Sequence, residues 1–288
     1  MAGPKPKQNY LNDDLERRLH GLTTPLYIDG SPKANGTGFF YYVPAKSKPK
    51  KGRPAPTYKD VWLVTSKHVI FGEDDSLRPK RIAFITRRIE SWNNKVYKND
   101  HEIDANYLRK ELRAPADGDI DLAIIKVTDV IKRSHPPEKS LQDFGFFAMS
   151  ESVLPDSPGN VGQQVQSGDD LLIIGYPKGT LIEENFYPII KPRCISSKWG
   201  TNFGGKPCFI IDREVFSGSS GSPVISKPTN FVMVNGELIL HSIKQFMFLG
   251  VYSGPTSSDL AGTDSGEVCY SSVVRDLVLN RIPLTRHL

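Results

Sequence analysis

Short apolar runs recur along the chain between clusters of Gly, Pro, Ser and Asp. Gly38–Val43, Val61–Thr65, Arg81–Thr86, Leu122–Val127, Leu171–Gly175, Cys208–Ile211, Pro223–Ile225, Leu238–Ile243 and Phe246–Tyr252 are all of strand length. Many short strands with few helical patterns predict an all-β sandwich or barrel. Two segments break the pattern. Residues 1–20 read as a polar N-terminal arm with a helical turn at Leu11–Leu19. Tyr270–Asn280 carries Val273, Val274, Leu277 and Val278 at helical spacing and predicts a short C-terminal helix. Residues 151–169 are rich in Pro, Gly, Ser and Gln and poor in large apolar residues. They read as a linker between a first half, 21–150, and a second, 151–288.

Composition narrows the class. The chain has 288 residues, 24% of them charged. That is length enough for a sizeable core in one or two domains. No run approaches the 18 apolar residues of a membrane helix. The N-terminus has no apolar core of a signal peptide, so no secretory route is expected. Cys194, Cys208 and Cys269 are odd in number and follow no metal spacing. A reducing, cytoplasmic home is expected, with neither disulfide framework nor metal. The other histidines (His20, His101, His135, His241 and His287) do not pair with Cys or each other at ligand spacing. Net charge is +5, with five basic residues at 46–53. This run is read as a solvated loop. A nucleic-acid contact there is the weaker alternative and would show as steep salt dependence.

Three segments carry candidate chemistry. In Val61–Ile70 an apolar strand ends in Thr65-Ser66-Lys67 and then His68. In Asp119–Val127 a carboxylate opens a strongly apolar strand. In Phe216–Val224 a Gly/Ser turn precedes another apolar run. Each alone is commonplace; their order, His then Asp then Ser, is informative. A serine hydroxyl needs a base at hydrogen-bond distance. Histidine titrates near neutrality, and a buried carboxylate fixes its tautomer. The developing oxyanion needs two convergent N–H donors, which a turn with Gly two places before the serine can supply.

Taken together the segments resemble trypsin-like serine peptidases of the chymotrypsin fold, closest to the HtrA-type branch. Thr65-Ser66-Lys67-His68, Asp121-Leu122-Ala123-Ile124-Ile125-Lys126 and Gly218-Ser219-Ser220-Gly221-Ser222-Pro223 resemble the family's three motifs. Gly36-Thr37-Gly38-Phe39, Leu172–Pro177 and Ile211-Asp212 support them. The resemblance spans residues 25–280. It implies two antiparallel six-stranded β-barrels with the site between them and no cofactor. It makes His68 the general base, Asp121 its orienting acid and Ser220 the nucleophile, with the amides of Gly218 and Ser220 as the oxyanion hole. Val251, Tyr252 and Ser253 resemble the strand that pairs with a peptide substrate. Glu214, six residues before Ser220, stands where a carboxylate would favour Lys or Arg before the cut bond. Asp119 is the alternative acid; Ser217, Ser219 and Ser222 read as turn residues.

The chain departs from the pattern in places. Ser219 replaces the Asp that binds a new N-terminus in zymogen activation, so none is expected. Val69 stands where secreted members place a cysteine. No PDZ-like region follows residue 280. The expected activity is cleavage of protein or peptide substrates through an acyl-enzyme. A silent peptide-binding pseudoprotease is the rival. The long segments 44–58 and 87–118 are where a regulatory partner would bind.

Overall fold

The computed structural model describes residues 10–44, 58–89, 96–133, 147–157, 165–178, 187–212, 215–234, 237–256 and 264–285. The basic run 46–53 and Glu214 lie outside them.

Helix α1 (Tyr10–Gly21) leads into β1 (Thr23–Ile28), β2 (Gly36–Pro44) and β3 (Tyr58–Thr65), followed by the one-turn helix α2 (Lys67–Phe71). Next come β4 (Arg81–Ile89), β5 (Val96–Asp104), α3 (Ala105–Glu111), β6 (Leu112–Pro115), β7 (Ala123–Lys126) and α4 (Thr128–Arg133). The second half contributes β8 (Asp170–Gly175), β9 (Ile189–Cys194), β10 (Cys208–Ile211) and β11 (Pro223–Ser226). It continues with β12 (Thr229–Val234), β13 (Glu237–Gln245), β14 (Phe248–Pro255), β15 (Gly266–Tyr270), α5 (Ser271–Val278) and β16 (Leu284–Thr285).

The strands form two main antiparallel sheets. The first runs β16-β6-β7-β3-β2-β1-β4-β5, and the second β10-β15-β14-β11-β8-β9. The expected count of six holds for the second. The first holds eight, because segment 81–115 supplies three strands and β16 pairs Leu284 with Pro115. The second sheet curls shut. Its outer strands meet where Ser196 N–H donates to Ile210 O (2.8 Å), Asp212 N–H donates to Cys194 O (3.2 Å), and Ile195 bridges Ile211. Hairpin β12–β13 stands apart as a two-stranded sheet.

Burial explains which runs were legible. Val61–Val64 of β3 is buried on both faces between β2 and β7, so it reads as continuously apolar. Helix α5 buries Val273, Val274, Leu277 and Val278, as their spacing predicts. The arm is more ordered than one turn: α1 has three turns and buries Leu19. Between the sheets lies one apolar cluster drawn from both. In it Phe39 of β2 meets Phe248 of β14 edge-on at 5.3 Å. Leu154, inside the stretch read as a linker, is fully buried in that cluster. Among the described residues no helix is long and apolar enough to cross a membrane.

Candidate active site

The switch from apolar β3 to Thr65-Ser66-Lys67 ends the strand and starts α2. Ser66 keeps an extended backbone (φ −72°, ψ 145°) at the N-cap. Beyond it Val69, Ile70 and Phe71 are buried in the first sheet's core, while Lys67 is buried and ion-paired with Asp75. This anchoring leaves His68 facing a cleft. Asp121 lies in the loop before β7, fixed by buried Ile120 and Leu122 on either side. It holds His68 twice: the backbone N–H donates to Oδ1 (2.9 Å) and the ring Nδ1–H to Oδ2 (2.8 Å). Asp119 is exposed, with its N–H on Asp117 Oδ1 (3.0 Å). The geometry thus separates the two candidate acids.

Burial works against a charged His68, but the hydrogen bond and charge of Asp121, with the charge of Glu73, outweigh it. The net effect raises its pKa above 6.5.

Ser220 sits in a tight turn before β11. Gly218 has φ +96°, and a Cβ there would lie 2.1 Å from Lys178 N. Gly221 has φ +85°, and a Cβ would lie 2.1 Å from Thr37 O. Only glycine fits either place. The carbonyl of Ser217 accepts from Lys178 N–H (2.5 Å). Within the turn Ser219 N–H donates to Phe216 O, Gly221 N–H to Tyr252 O, and Ser222 N–H to Ser219 O. The N–H groups of Gly218 and Ser220 have no acceptor among the described residues. Ser220 Oγ makes no hydrogen bond to His68 in this structure, although both line one cleft. Catalytic hydrogen bonds are often long before substrate arrives. Ser219 and Ser222 are fully buried.

The first sheet also holds the turn, which the sequence reading did not assign to a residue. Thr37 N–H donates to Ser220 O (2.9 Å), and its Oγ1 donates to Gly218 O (3.0 Å). The same Oγ1 accepts from Tyr176 N–H (2.8 Å), and Thr37 O accepts from Thr65 Oγ1 (2.7 Å). The only sequence signal was the Gly-Thr-Gly step.

Of the predicted substrate strand, Val251 and Tyr252 bury their side chains and meet the site through main chain. Tyr252 O accepts from Gly221 N–H (2.8 Å) and Ser66 Oγ (3.2 Å), while its hydroxyl accepts from Val215 N–H (3.1 Å). Pairing of β11 with β14 stops at Val251. Ser253–Pro255 therefore has β15 on one side and an open edge on the other among the described strands. The cleft holds about 560 Å³. His68, Asp121, Gly218, Ser220 and Ser253 line it, and so do Glu73, Lys206 and Glu267, which the sequence reading did not single out.

Among the described residues no cluster of three or more His, Cys, Asp or Glu could hold a metal. All three cysteines are free thiols. Burial, then the charge of Glu267, pushes Cys208 up to about 11; burial, then Asp121, raises Cys269 further.

A family model described as the trypsin-like peptidase domain matches residues 36–232. No curated protein matches significantly. Among solved structures, the inactive form of the Rv3671c protease matches at 17% identity and a TM-score of 0.43, over 97% of this chain and 98% of that one. A serine-to-alanine variant of Rv3671c from M. tuberculosis H37Rv, also an inactive form, matches at 16% and 0.43, over 97% and 95%. The HtrA-type protease AlgW, solved with a tripeptide, matches at 14% and 0.45, over 94% of this chain and 63% of that one. With the family model covering most of its length and both sheets in place, the chain belongs to the trypsin-like peptidase family and is a serine protease of the chymotrypsin fold.

Proposed function

We propose that the chain is an endopeptidase working through a triad of His68, Asp121 and Ser220. The carrying observation is the double grip of Asp121 on His68, across one cleft from a turn whose Gly218 and Ser220 N–H groups have no acceptor among the described residues. Asp121 keeps Nδ1 protonated, so Nε2 is the basic nitrogen. It takes the Ser220 proton as Oγ attacks the peptide carbonyl. The two N–H groups receive the oxyanion. His68 then protonates the departing amine, leaving an acyl-enzyme on Ser220. Water, deprotonated by His68, releases the acid and restores the serine. The open edge at Ser253–Pro255 would hold the peptide as an added strand. Three free thiols suit a reducing compartment, which supports a reading in which the targets are intracellular proteins.

One observation favours a silent, peptide-binding reading: the missing bond between Ser220 and His68. A fluorophosphonate probe separates the two. The expected result is an adduct mapped to Ser220 by mass spectrometry and lost in Ser220→Ala and His68→Ala. Asp121→Asn should keep the fold and lower kcat by about 10⁴. A folded chain that never labels would overturn the catalytic reading.

A further inference from the structure

We infer that Cys208 and Cys269 form an oxidation site: a cross-strand dithiol that hydrogen peroxide closes into a disulfide, locking the second sheet around the turn that carries Ser220. The inference stands whether or not the proposed triad is active.

The ladder brings the two sulfurs together. Cys208 of β10 is the cross-strand partner of Cys269 of β15. One step along, Tyr270 N–H donates to Pro207 O (3.0 Å), which makes that step a hydrogen-bonded pair. Hydrogen-bonded and non-hydrogen-bonded pairs alternate in an antiparallel ladder, so the cysteines occupy a narrow, non-hydrogen-bonded pair. In such a pair the Cα atoms lie about 4.5 Å apart, inside the roughly 4.4–6.8 Å that a disulfide spans. Directly opposed side chains share a face. The bridge therefore needs side-chain rotation and no backbone movement. The Cys208 thiol donates to Phe203 O at 3.8 Å, a weak bond that rotation can give up. The same register excludes Cys194. Ile195 bridges Ile211, so Cys194 stands beside Asp212, about 13 Å along the strand from Cys208.

Access and chemistry fit a small oxidant. Phe209 and Val268, next along each strand, face the second sheet's own core. Cys208 and Cys269 face the other way and line a side cavity of about 130 Å³ with Asp119, Asp121 and Ser253. Asp121 and Ser253 also line the main cleft, so the cavity adjoins it. That volume suits hydrogen peroxide and is too small for a bulky disulfide reagent. The Cys208 thiolate attacks one peroxide oxygen and breaks the O–O bond. The released hydroxide takes up the thiol's proton as water, and the sulfur becomes a sulfenic acid. The Cys269 sulfur attacks that sulfur, gives up its proton and expels the oxygen as a second water. Two thiols lose two electrons and peroxide gains them. Burial raises both thiols, so the pair answers sustained oxidant rather than a brief pulse. The closed loop, 208–269, contains the turn at Ser220 and the edge at Ser253–Pro255, and cross-linking its ends restricts the unfolded chain.

The full reduced chain, treated with hydrogen peroxide, tests this. Thiols titrated after denaturation should fall from three to one. Mass spectrometry should find the Cys208 and Cys269 peptides joined with the loss of two hydrogens. Tm should rise by about 5 °C or more and fall back on reduction. Cys208→Ala and Cys269→Ala should each abolish the rise, and Cys194→Ala should keep it. If the alanine variants fail to fold, the mapped bond and the Tm of the unaltered chain decide. A bond that includes Cys194, a bond between two chains, a sulfinic acid on either cysteine, or three surviving thiols would each overturn the inference. So would the mapped bond with an unmoved Tm.

Discussion

Thr37 shows how much a single side chain can hold. One hydroxyl donates to Gly218 O and accepts from Tyr176 N–H, while the same residue's N–H reaches Ser220 O. Valine has the same shape without the hydroxyl. Thr37→Val removes the hydroxyl's bonds to Gly218 O and Tyr176 N–H, a loss of about 1–3 kcal/mol where a buried main-chain group loses its partner. The expected outcome is slower fluorophosphonate labelling of Ser220, larger than the change in Tm would explain, with Thr37→Ser restoring the rate. Equal rates in Val and Ser variants would reduce Thr37 to packing.

His68 sets the pH response. Its pKa is raised, and catalysis needs the neutral ring, so kcat/KM should climb with pH through a midpoint above 6.5. The stability linkage has the opposite sense. A raised folded pKa contributes stability in full below 6.5, and that contribution fades as pH rises through the folded value. Glu73→Gln removes one raising charge, so the midpoint should move down in a pH–rate series; an unmoved midpoint would remove Glu73 from the account. The candidate base, acid and nucleophile stand out in the sequence because the proposed chemistry demands particular residue types at motif spacing. Thr37 does not, because its partners are main-chain atoms that no letter of the sequence encodes.

At the scale of elements, β14 and hairpin β12–β13 are opposites. Phe248 of β14 is fully buried at the seam between the sheets, and Phe248→Ala should cost about 3–5 kcal/mol by denaturant titration. Leu240 of β13 is 75% exposed, and Leu240→Ser should change stability by no more than about 0.5 kcal/mol. A large loss at Leu240 would mean the hairpin is covered in solution. The same contrast explains which strands the pattern revealed. Strands buried on both faces announced themselves. Strand β5 did not: Val96–Asp104 is mostly polar and is held by nine paired positions with β4, its His101 stacked on Phe84 at 4.9 Å. Strand β9 hid behind Pro192, a residue that argues against a central strand yet is tolerated where β9 ladders with β8 alone, its contacts with β10 beginning at Cys194.

Across the whole molecule, the two halves exchange elements. Strand β16 returns from the C-terminus to the first sheet, α1 lies against β13, and one apolar cluster serves both sheets. Local patterning carries the strands but not this exchange of ends, which depends on contacts between residues far apart in sequence. The seam also runs through the proposed machinery, since His68 and Asp121 come from one side and Ser220 from the other, with Thr37 reaching across. Because the seam that joins the sheets also carries the proposed triad, loosening it would separate His68 and Asp121 from Ser220. In the proposed triad, activity would then report on the closure of the seam itself, and a strained junction would show first as lost labelling of Ser220.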